Sequence, residues 1–410
     1  MQIGFSQPQR LIPIFLFVCS ALSLQAGEDW PQFRGPHQNG TSTQANLIQS
    51  FPADGPKVAW QVPIGPGFSG IAVEGKFLVT QFSDGAEGER KEYVAAYNIK
   101  NGKERWRAEL GNEFVNQFGN GPRSTPSIAE GKVVALGSYG HLVCLDLKKG
   151  NTLWKHDLVG ENAETTVPRF GFSTSPLIDN GQVLVDLPGQ NEKGYLAVSL
   201  VDGSEVWRGI PAGNGYMSPV AVDFNKNRQY IILSGPQLSG IDAKGNVLWQ
   251  TEWTPGGVAN PLVVGDNRVF VSASGDVGGL MVEVDATQTP VAVKEVWRNR
   301  AMKNHFNSSV TDGKHIYGFD NATLKCITAA DGKTRWAKRG FGKGSLILAD
   351  NRLWIISDRG DLVAVKAHGE KYEEIGKSPI LEGKCWTAPS LAQGLLLARN
   401  GTHMTAIRLK

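Results

Sequence analysis

Cysteine is scarce in this sequence, at four residues in 410. Three of them, Cys144, Cys326 and Cys385, follow residue 26, and an odd number permits one disulfide bond at most. Cys144 lies in the apolar segment HLVCLDL, where a cysteine acts as a small buried hydrophobic residue. Disulfide bonds therefore do not form the framework of this fold.

An excess of charge of either sign is also missing. Lysine and arginine number 42 against 39 aspartates and glutamates, which gives a formal net charge of +3. So small an excess predicts no general attraction to nucleic acid, and we expect no nucleic-acid partner. Helical periodicity, a serine nucleophile elbow, a zinc-binding motif and a phosphate-binding loop are absent as well. The 49 glycines and 21 prolines instead describe a globular protein rich in turns.

A long apolar run occurs at the N-terminus. Arg10 precedes the run LIPIFLFV, and the small residue Ala26 closes the segment. This order is typical of a cleaved signal peptide, and the run is shorter than the ~20 residues that cross a bilayer. We expect residues 1–26 to be removed and the protein to be exported to the periplasm or the extracellular space, without a transmembrane segment. Lipid attachment at Cys19 is an alternative, which the bulky Val18 before it disfavours.

One pattern recurs through the rest of the chain: an apolar strand, a turn that contains glycine, and a tryptophan. These tryptophans stand at positions 60, 106, 154, 207, 249, 297 and 336, and Ile375 takes the same place in a further unit. The spacing is that of propeller blades, since four short strands and their turns occupy ~40–50 residues. A tryptophan repeated in this way packs one blade against the next.

We count eight units, and the last one stops at Lys410 after three strands. The segment around Trp60 is a strand with no unit before it, so the two ends complete one blade and close the ring. The sequence therefore predicts an all-β fold, an eight-bladed β-propeller of four-stranded antiparallel blades over residues 55–410. Residues 27–54 precede it as a strap, because Trp30 and Phe33 are too apolar to be left in water.

The glycine-x-x-x-tryptophan repeat resembles the tryptophan-docking repeat of propellers related to pyrroloquinoline quinone (PQQ) enzymes. This superfamily includes quinoprotein alcohol dehydrogenases and the propeller lipoprotein of the bacterial outer-membrane protein assembly machinery, and the resemblance covers about residues 55–410. The segments DWPQFRGPHQNG, KNHFNSSVTDGKHIYGFD and CWTAPSLAQGLLLARN are similar to segments of secreted PQQ-like repeat proteins of planctomycete-type bacteria. The resemblance implies the fold and leaves the activity open, because one fold serves many functions.

A propeller presents its ligand groups in the loops that lead into the innermost strand of each blade, around the mouth of the central channel. We call these the channel loops: residues 64–70, 119–126, 167–176, 213–219, 254–261, 303–309, 341–345 and 383–389. Their basic side chains are Arg123, Arg169, Lys303, His305, Lys343 and Lys384, and they contain no Asp or Glu. The sequence therefore predicts an electropositive channel mouth.

Several side chains of these loops suit an anionic ligand, which we expect to be a small molecule, an acidic glycan or a peptide. Arginine grips a carboxylate or phosphate through two parallel hydrogen bonds, and aromatic faces stack on a ring. The candidate ligand-binding residues are Arg123, Arg169, Phe172, Tyr216, Lys303, His305, Asn307, Lys343 and Trp386. For each basic residue, the alternative is an ion pair with a carboxylate from another loop.

The resemblance also raises a catalytic alternative, a PQQ-dependent alcohol dehydrogenase. Such an enzyme needs calcium held by oxygen ligands and a carboxylate base near the quinone. Active enzymes of the family carry a disulfide between adjacent cysteines, whereas this chain has no Cys-Cys pair and no carboxylate in the channel loops. His305 is the best single candidate for acid–base work, without a partner at a meaningful spacing. We expect no catalytic residue, metal or cofactor, with PQQ and calcium as the alternative.

Three hypotheses follow. The first is a secreted, non-catalytic binding or scaffold propeller whose channel mouth takes an anionic ligand or a protein partner. The second is the quinoprotein oxidoreductase. The third is a subunit that docks on outer-membrane assembly machinery, which rests on family analogy and lacks the expected lipid-attachment cysteine.

Overall fold

The structure, a computed structural model, describes Met1 and residues 28–190, 192–253 and 258–410. The predicted signal peptide, apart from Met1, lies outside the described residues. All regular structure in the described part of the chain is β-structure, arranged in eight sheets. In the same residues we find no helix with the length and apolar character needed to span a membrane.

The strands alternate with short turns and form the blades in chain order. Before the first blade come β1 (Thr41–Ser42) and β2 (Val58–Pro63). Blade 1 contains β3 (Ala72–Glu74), β4 (Phe77–Asp84), β5 (Lys91–Asn98) and β6 (Glu104–Asn112). Blade 2 contains β7 (Ser127–Ala129), β8 (Lys132–Leu136), β9 (His141–Asp146) and β10 (Thr152–Asp157). Blade 3 contains β11 (Leu177–Asp179), β12 (Gln182–Asp186), β13 (Tyr195–Ser199) and β14 (Glu205–Gly209).

The next four blades repeat the same plan, with the first strand innermost. Blade 4 contains β15 (Val220–Phe224), β16 (Asn227–Ser234), β17 (Gln237–Ile241) and β18 (Val247–Glu252). Blade 5 contains β19 (Leu262–Val264), β20 (Arg268–Ala273), β21 (Gly278–Asp285) and β22 (Ala292–Asn299). Blade 6 contains β23 (Val310–Thr311), β24 (His315–Asp320), β25 (Thr323–Thr328) and β26 (Thr334–Lys338). Blade 7 contains β27 (Ser345–Ala349), β28 (Arg352–Ile356), β29 (Asp361–Lys366) and β30 (Glu374–Pro379).

Blade 8 joins the two ends of the propeller. Its strands β31 (Ser390–Ala392), β32 (Leu395–Arg399) and β33 (His403–Arg408) are followed in the sheet by β2. Strand β2 pairs antiparallel with β33, and Trp60 lies opposite Ala406. The eight-bladed propeller closed by an N-terminal strand is thus confirmed, and the closure satisfies a sheet edge that would otherwise be unpaired.

A tryptophan in the outermost strand joins most blades to the next one. Its indole nitrogen donates a hydrogen bond to a backbone carbonyl in the turn between the third and fourth strands of the following blade. The pairs are Trp60 to Ile99, Trp106 to Leu147, Trp154 to Leu200, Trp207 to Ala243, Trp297 to Ala329 and Trp336 to His368, at 2.7 to 3.2 Å. These indoles therefore connect blades.

Glycines in the same turns allow the rings to lie against the backbone. Gly150 has a φ of +74°, and a Cβ atom there would lie 2.6 Å from the Trp106 ring. Trp249 departs from this pattern, because its indole nitrogen donates to the side chain of Gln229 in its own blade at 2.8 Å. The corresponding turn of the following blade, residues 286–291, contains no glycine. The docking contact thus depends on both residues of the pair.

The described part of the strap, residues 28–54, crosses the central channel. It contacts innermost strands or their first residues through Trp30 with Val73, Pro31 with Ile128, Gln38 with Pro219 and Ala221, Arg34 with Ser309, Gly40 with Leu348, and Gln44 with Leu391. These partners belong to blades 1, 2, 4, 6, 7 and 8, in that order. Blades 2 and 6 face each other across an eight-bladed ring, as do blades 4 and 8, so the strap spans the channel from side to side.

The hydrophobic core lies between neighbouring blades and beneath the strap. Trp30 is 1% exposed and packs with the apolar residues of blades 1, 7 and 8. Cys144, Cys326 and Cys385 are buried without disulfide bonds, and burial raises the pKa of each thiol to about 12. They serve as small core residues, as the apolar segment around Cys144 indicates.

Candidate ligand-binding site

A cavity of about 490 Å³ lies at the channel mouth, between the channel loops and the strap. All eight channel loops contribute side chains or backbone to its wall, and the strap contributes Phe33 and Arg34. The other lining residues are Phe68, Gly70, Phe118, Arg123, Phe170, Ser173, Tyr216, Ser218, Val258, Asn260, His305, Phe306, Asn307, Ser308, Lys343, Ser345, Leu346, Trp386, Thr387 and Ala388. This size falls in the range of small-molecule sites.

Blade-to-blade hydrogen bonds fix the channel loops around this cavity. In each, a backbone N–H of one loop donates to a side-chain oxygen of the next loop. The consecutive bonds run from Gly70 to Thr125, Thr125 to Ser175, Ser175 to Ser218, Ser218 to Asn260 and Asn260 to Ser308, at 2.9 to 3.1 Å. Because these partners occupy equivalent places in successive blades, the cavity wall is held by a continuous chain of bonds over six blades.

Aromatic rings form two groups on the cavity wall. In the first, the Trp386 ring lies 6.0 Å from Phe68 and 5.1 Å from Phe306, and Phe306 lies 5.2 Å from His305. The contacts are tilted or edge-to-face, which are favourable geometries for aromatic pairs. Trp386 is half-buried, so part of its face remains accessible.

The second aromatic group lies on the loops that lead into blades 2, 3 and 4. Phe118 and Phe170 are 5.9 Å apart, and Phe170 and Tyr216 are 5.5 Å apart. The Tyr216 hydroxyl accepts a hydrogen bond from the backbone N–H of Phe170 at 3.2 Å, which fixes that ring. Burial raises the pKa of Tyr216, so it is a neutral phenol at neutral pH.

Cationic side chains lie over the first aromatic group. The Arg123 guanidinium is 5.3 Å from the Phe68 centroid, and the Lys343 ammonium is 5.9 Å from the centroids of both Phe306 and Trp386. Such distances permit cation–π attraction. Arg123 also donates to the carbonyls of Gly121 and Gly119 in its own loop, at 3.0 and 2.9 Å. Arg123 thus holds its loop as well as facing the cavity, and the Lys384 ammonium also lies over Trp386, 4.4 Å from its centroid.

Six of the nine predicted site residues lie at this cavity: Arg123, Tyr216, His305, Asn307, Lys343 and Trp386. The pKa of His305 is below its usual value because of partial burial and the nearby Lys343 ammonium, so the ring is neutral at pH 7. Asn307 donates to the carbonyls of Lys343 and Gly344, at 3.1 and 2.5 Å. Its amide therefore joins two channel loops. That these six residues bind a ligand stays a prediction.

The other three predicted residues are placed elsewhere. Phe172 is 0% exposed and packs in the core of blades 2 and 3, so its ring cannot stack on a ligand in the cavity. Lys303 forms an ion pair with Asp320 at 3.7 Å. Pairing with a carboxylate was the alternative to ligand binding for each basic residue. Arg169 is exposed and lies over the Phe170 ring at 5.4 Å, beside the cavity wall but not in it.

The structure adds aromatic residues that the sequence analysis did not select. Phe118 precedes a channel loop, Phe170 stands two positions before Phe172, and Phe306 follows His305. Their position within or beside the channel loops was visible in the sequence, but the direction of each side chain was not. Phe33 and Arg34 lie in the strap, and nothing local in their segment indicates that it enters the channel.

Two buried carboxyl groups lie near the channel loops without lining the cavity. Glu92 accepts hydrogen bonds from the backbone N–H groups of Ser138 and Phe114, at 2.9 and 3.3 Å, and burial raises its pKa. Asp186 accepts a hydrogen bond from Thr174 at 2.6 Å, and burial raises its pKa to about 6. Glu92 thus joins blade 1 to Ser138 of blade 2, and both carboxyls are engaged by backbone or hydroxyl donors, which is a structural role.

The residues of the cavity do not match the donor set of a calcium-bound quinone. Calcium prefers six to eight oxygen ligands that include carboxylates, and no Asp or Glu lines the described part of the cavity. No cluster of three or more His, Cys, Asp or Glu side chains suited to a metal occurs among the residues that the structure describes. We therefore assign no metal ligand.

The fold and the docking tryptophans define a class, and comparison with known proteins agrees with it. The chain belongs to the PQQ-like propeller repeat family, since the family model described as outer membrane protein assembly factor BamB matches residues 44–157 and 90–338. These matches cover more than half of the chain and reach from the strap into blade 6. No curated protein matches the sequence.

Solved structures with the same architecture are distant in sequence. Quinohemoprotein alcohol dehydrogenase from Comamonas testosteroni has a TM-score of 0.64 at 12% identity, over 92% of this chain and 80% of that protein. A europium-containing methanol dehydrogenase has a TM-score of 0.55 at 11% identity, over 93% and 89%. The computationally designed Ika8 protein also gives 0.55 at 11% identity, over 89% and 98%. At these identities, the similarity shows the fold alone.

Proposed function

We propose that this protein is an exported, non-catalytic propeller that binds an anionic small molecule with a flat face in the cavity at the channel mouth. One observation carries the proposal: Arg123 and Lys343 lie over accessible aromatic rings, and the described lining contains no carboxylate that would neutralise them. Aromatic faces bind the flat part of such a ligand, and the cations bind its charge. Export is a separate proposal, which rests on the apolar N-terminal segment.

The test compares two probes that share a ring and differ in charge, naphthalene-2-sulfonate and naphthalene-2-methanol. Isothermal titration at low salt should give an affinity for the sulfonate at least about tenfold higher, as expected for one charge-assisted hydrogen bond. The difference should shrink as sodium chloride rises, because exposed charges are screened over about 8–10 Å near physiological ionic strength. Equal affinities for the two probes would remove the proposal.

The catalytic alternative, a PQQ-dependent alcohol dehydrogenase, is tested separately. The purified protein is mixed with PQQ, calcium and a panel of primary alcohols, and reduction of an artificial electron acceptor is followed. We expect no turnover above that of PQQ with calcium alone, because the cavity offers no carboxylate base. Alcohol-dependent dye reduction that requires the protein would establish the alternative instead.

A further inference from the structure

We propose that the Arg34 guanidinium, carried by the strap, forms an oxyanion-binding site at the floor of the cavity. The preferred occupant is a carboxylate, whose two oxygens match the paired N–H groups of a guanidinium. This proposal rests on the binding function proposed above and assigns the anionic end of the ligand to a residue outside the channel loops.

The hydrogen bonds of Arg34 leave one of its nitrogens without a partner. Nε donates to the carbonyl of Gln38 at 3.4 Å, and Nη2 donates to the carbonyls of Asn39 and Ser309. Nη1 has no hydrogen-bond acceptor among the described residues, although Arg34 is 5% exposed and lines the cavity. Because Arg34 lines the cavity, a ligand oxygen there could accept a hydrogen bond from Nη1.

The charge of Arg34 is likewise uncompensated. Its three acceptors are backbone carbonyls, and no carboxylate of the described chain forms an ion pair with it. Burial lowers the pKa of Arg34 to about 9, which still leaves the side chain cationic at pH 7. A buried charge without a counterion is expensive, so Arg34 attracts an anion that enters the cavity.

The strap holds Arg34 in an unusual backbone conformation. Its φ is +64°, in the left-handed region that residues other than glycine seldom adopt, and Gly35 follows at +83°. A Cβ atom on Gly40 would lie 3.0 Å from Nη2 of Arg34, so a side chain there would crowd the guanidinium. Such strain persists where the surroundings fix it, and here the hydrogen bonds to Asn39 and Ser309 hold the guanidinium in place.

A second buried arginine provides the contrast. Arg399 in blade 8 is 0% exposed and donates through all three of its side-chain nitrogens: Nε to Asn400, Nη1 to Gln81 and Thr80, and Nη2 to Gly65. It does not line the cavity. Both residues lack a carboxylate partner among the described residues, but only Arg34 combines a free nitrogen with access to the cavity.

The experiment begins with the unmodified protein. Crystals soaked in sodium iodide should show an anomalous peak next to Nη1 of Arg34 and none at Arg399, which serves as the control in the same map. Absence of a peak at Arg34 would overturn the proposal, and so would a peak that persists in the Arg34→Gln variant. The Lys343→Ala variant should keep the Arg34 peak, which separates this site from the channel-mouth site.

Benzoate then tests the site in solution by isothermal titration. We expect the Arg34→Gln variant to lose at least about tenfold in affinity, the value of a charge-assisted hydrogen bond. Arg34→Lys keeps the charge without the fork of donors, so its affinity for benzoate should lie between those of the unmodified protein and Arg34→Gln. This second variant also provides the test if the glutamine variant fails to fold. Lys303→Ala is the matched control. An unchanged benzoate affinity in both Arg34 variants would refute the floor site, whereas selective binding of naphthalene-2-sulfonate would still support the proposed function.

Discussion

The interfaces between blades and the mouth of the channel are built in opposite ways. At the interfaces, the same pair recurs: an indole N–H donates to a carbonyl in the following blade, beside a glycine that lies against the ring. At the mouth, loops in equivalent places carry different side chains, such as Arg123, Tyr216, His305 and Trp386. Repetition therefore fixes the shape of the ring, and the residues that differ between repeats are free to give the cavity its chemistry.

The largest effect should come from removing the strand that closes the ring. Without residues 28–63, blade 8 loses β2, which pairs with β33, and the hydrophobic interior beneath the strap is exposed. An open edge of this kind promotes aggregation, so we expect insoluble protein or loss of cooperative unfolding. Size-exclusion chromatography and thermal unfolding measure the outcome.

A rearranged chain serves as the control for this deletion. Attaching residues 57–64 after Lys410 through a short turn restores the antiparallel partner of β33 without restoring the strap. Partial recovery of soluble, cooperatively unfolding protein would show that β2 closes the ring by pairing. A deletion variant that stays monomeric with the parent's unfolding midpoint would contradict the closure as a source of stability.

The docking contact is tested by Gly150→Ala against Gly131→Ala. Both glycines have positive φ values, +74° and +70°, so both substitutions carry a similar backbone penalty of ~1–2 kcal/mol. Only Gly150 faces a tryptophan, since its new Cβ would lie 2.6 Å from the Trp106 ring, while nothing lies within 4 Å of a Cβ at Gly131.

We therefore expect Gly150→Ala to reduce the free energy of unfolding by ~1–3 kcal/mol more than Gly131→Ala, the usual cost of overpacking. Urea unfolding gives both values in the same buffer. Equal losses of unfolding free energy in the two variants would mean that the Trp106 indole moves aside freely. The docking glycines would then be required for their backbone conformation alone.

An effect of similar size should come from Asp186 in blade 3, which accepts a hydrogen bond from Thr174. Burial raises its pKa from 3.8 to about 6, so ionisation is penalised in the folded state. The penalty is absent below pH 4 and complete above pH 6, and the contribution of Asp186 to stability therefore falls as pH rises through that window. Relative to the parent, Asp186→Asn should gain ~2–3 kcal/mol between pH 4 and pH 7.

The difference between the two proteins isolates Asp186, because Glu92, whose pKa is also raised by burial, is present in both. Urea unfolding at several pH values supplies the comparison. Parallel stability curves for parent and variant would show that Asp186 is not desolvated in the folded protein.

The fold could be predicted almost fully from the sequence, because its determinants are local. Each docking tryptophan stands a few residues after a turn, and the missing fourth strand of the last unit is matched by the spare strand at Trp60. Trp249 shows the limit of this reasoning: its own segment matches the repeat, yet its partner turn in blade 5 lacks the glycine, and the indole bonds to Gln229 instead.

The candidate site could be predicted only in part. The repeat identifies the loops that meet at the channel, which is why residues such as Arg123 and Lys343 were found. It does not determine which side chain of a loop turns inward, so Phe172 was chosen although Phe170 lines the cavity. Arg34 reaches the cavity through contacts with distant blades, and no spacing in its own segment contains that information.

The smallest expected effect distinguishes two lysines of the same charge and different surroundings. Lys343 extends over Phe306 and Trp386 at the cavity, whereas Lys303 pairs with Asp320 and lies outside the lining. Lys343→Ala should weaken binding of naphthalene-2-sulfonate about tenfold, near the lower value of a charge-assisted hydrogen bond, and binding of naphthalene-2-methanol much less. Lys303→Ala should change neither affinity, because its charge is already engaged. If the two variants weaken sulfonate binding equally, the effect is that of net charge alone, and the position of Lys343 above the rings has no part in recognition.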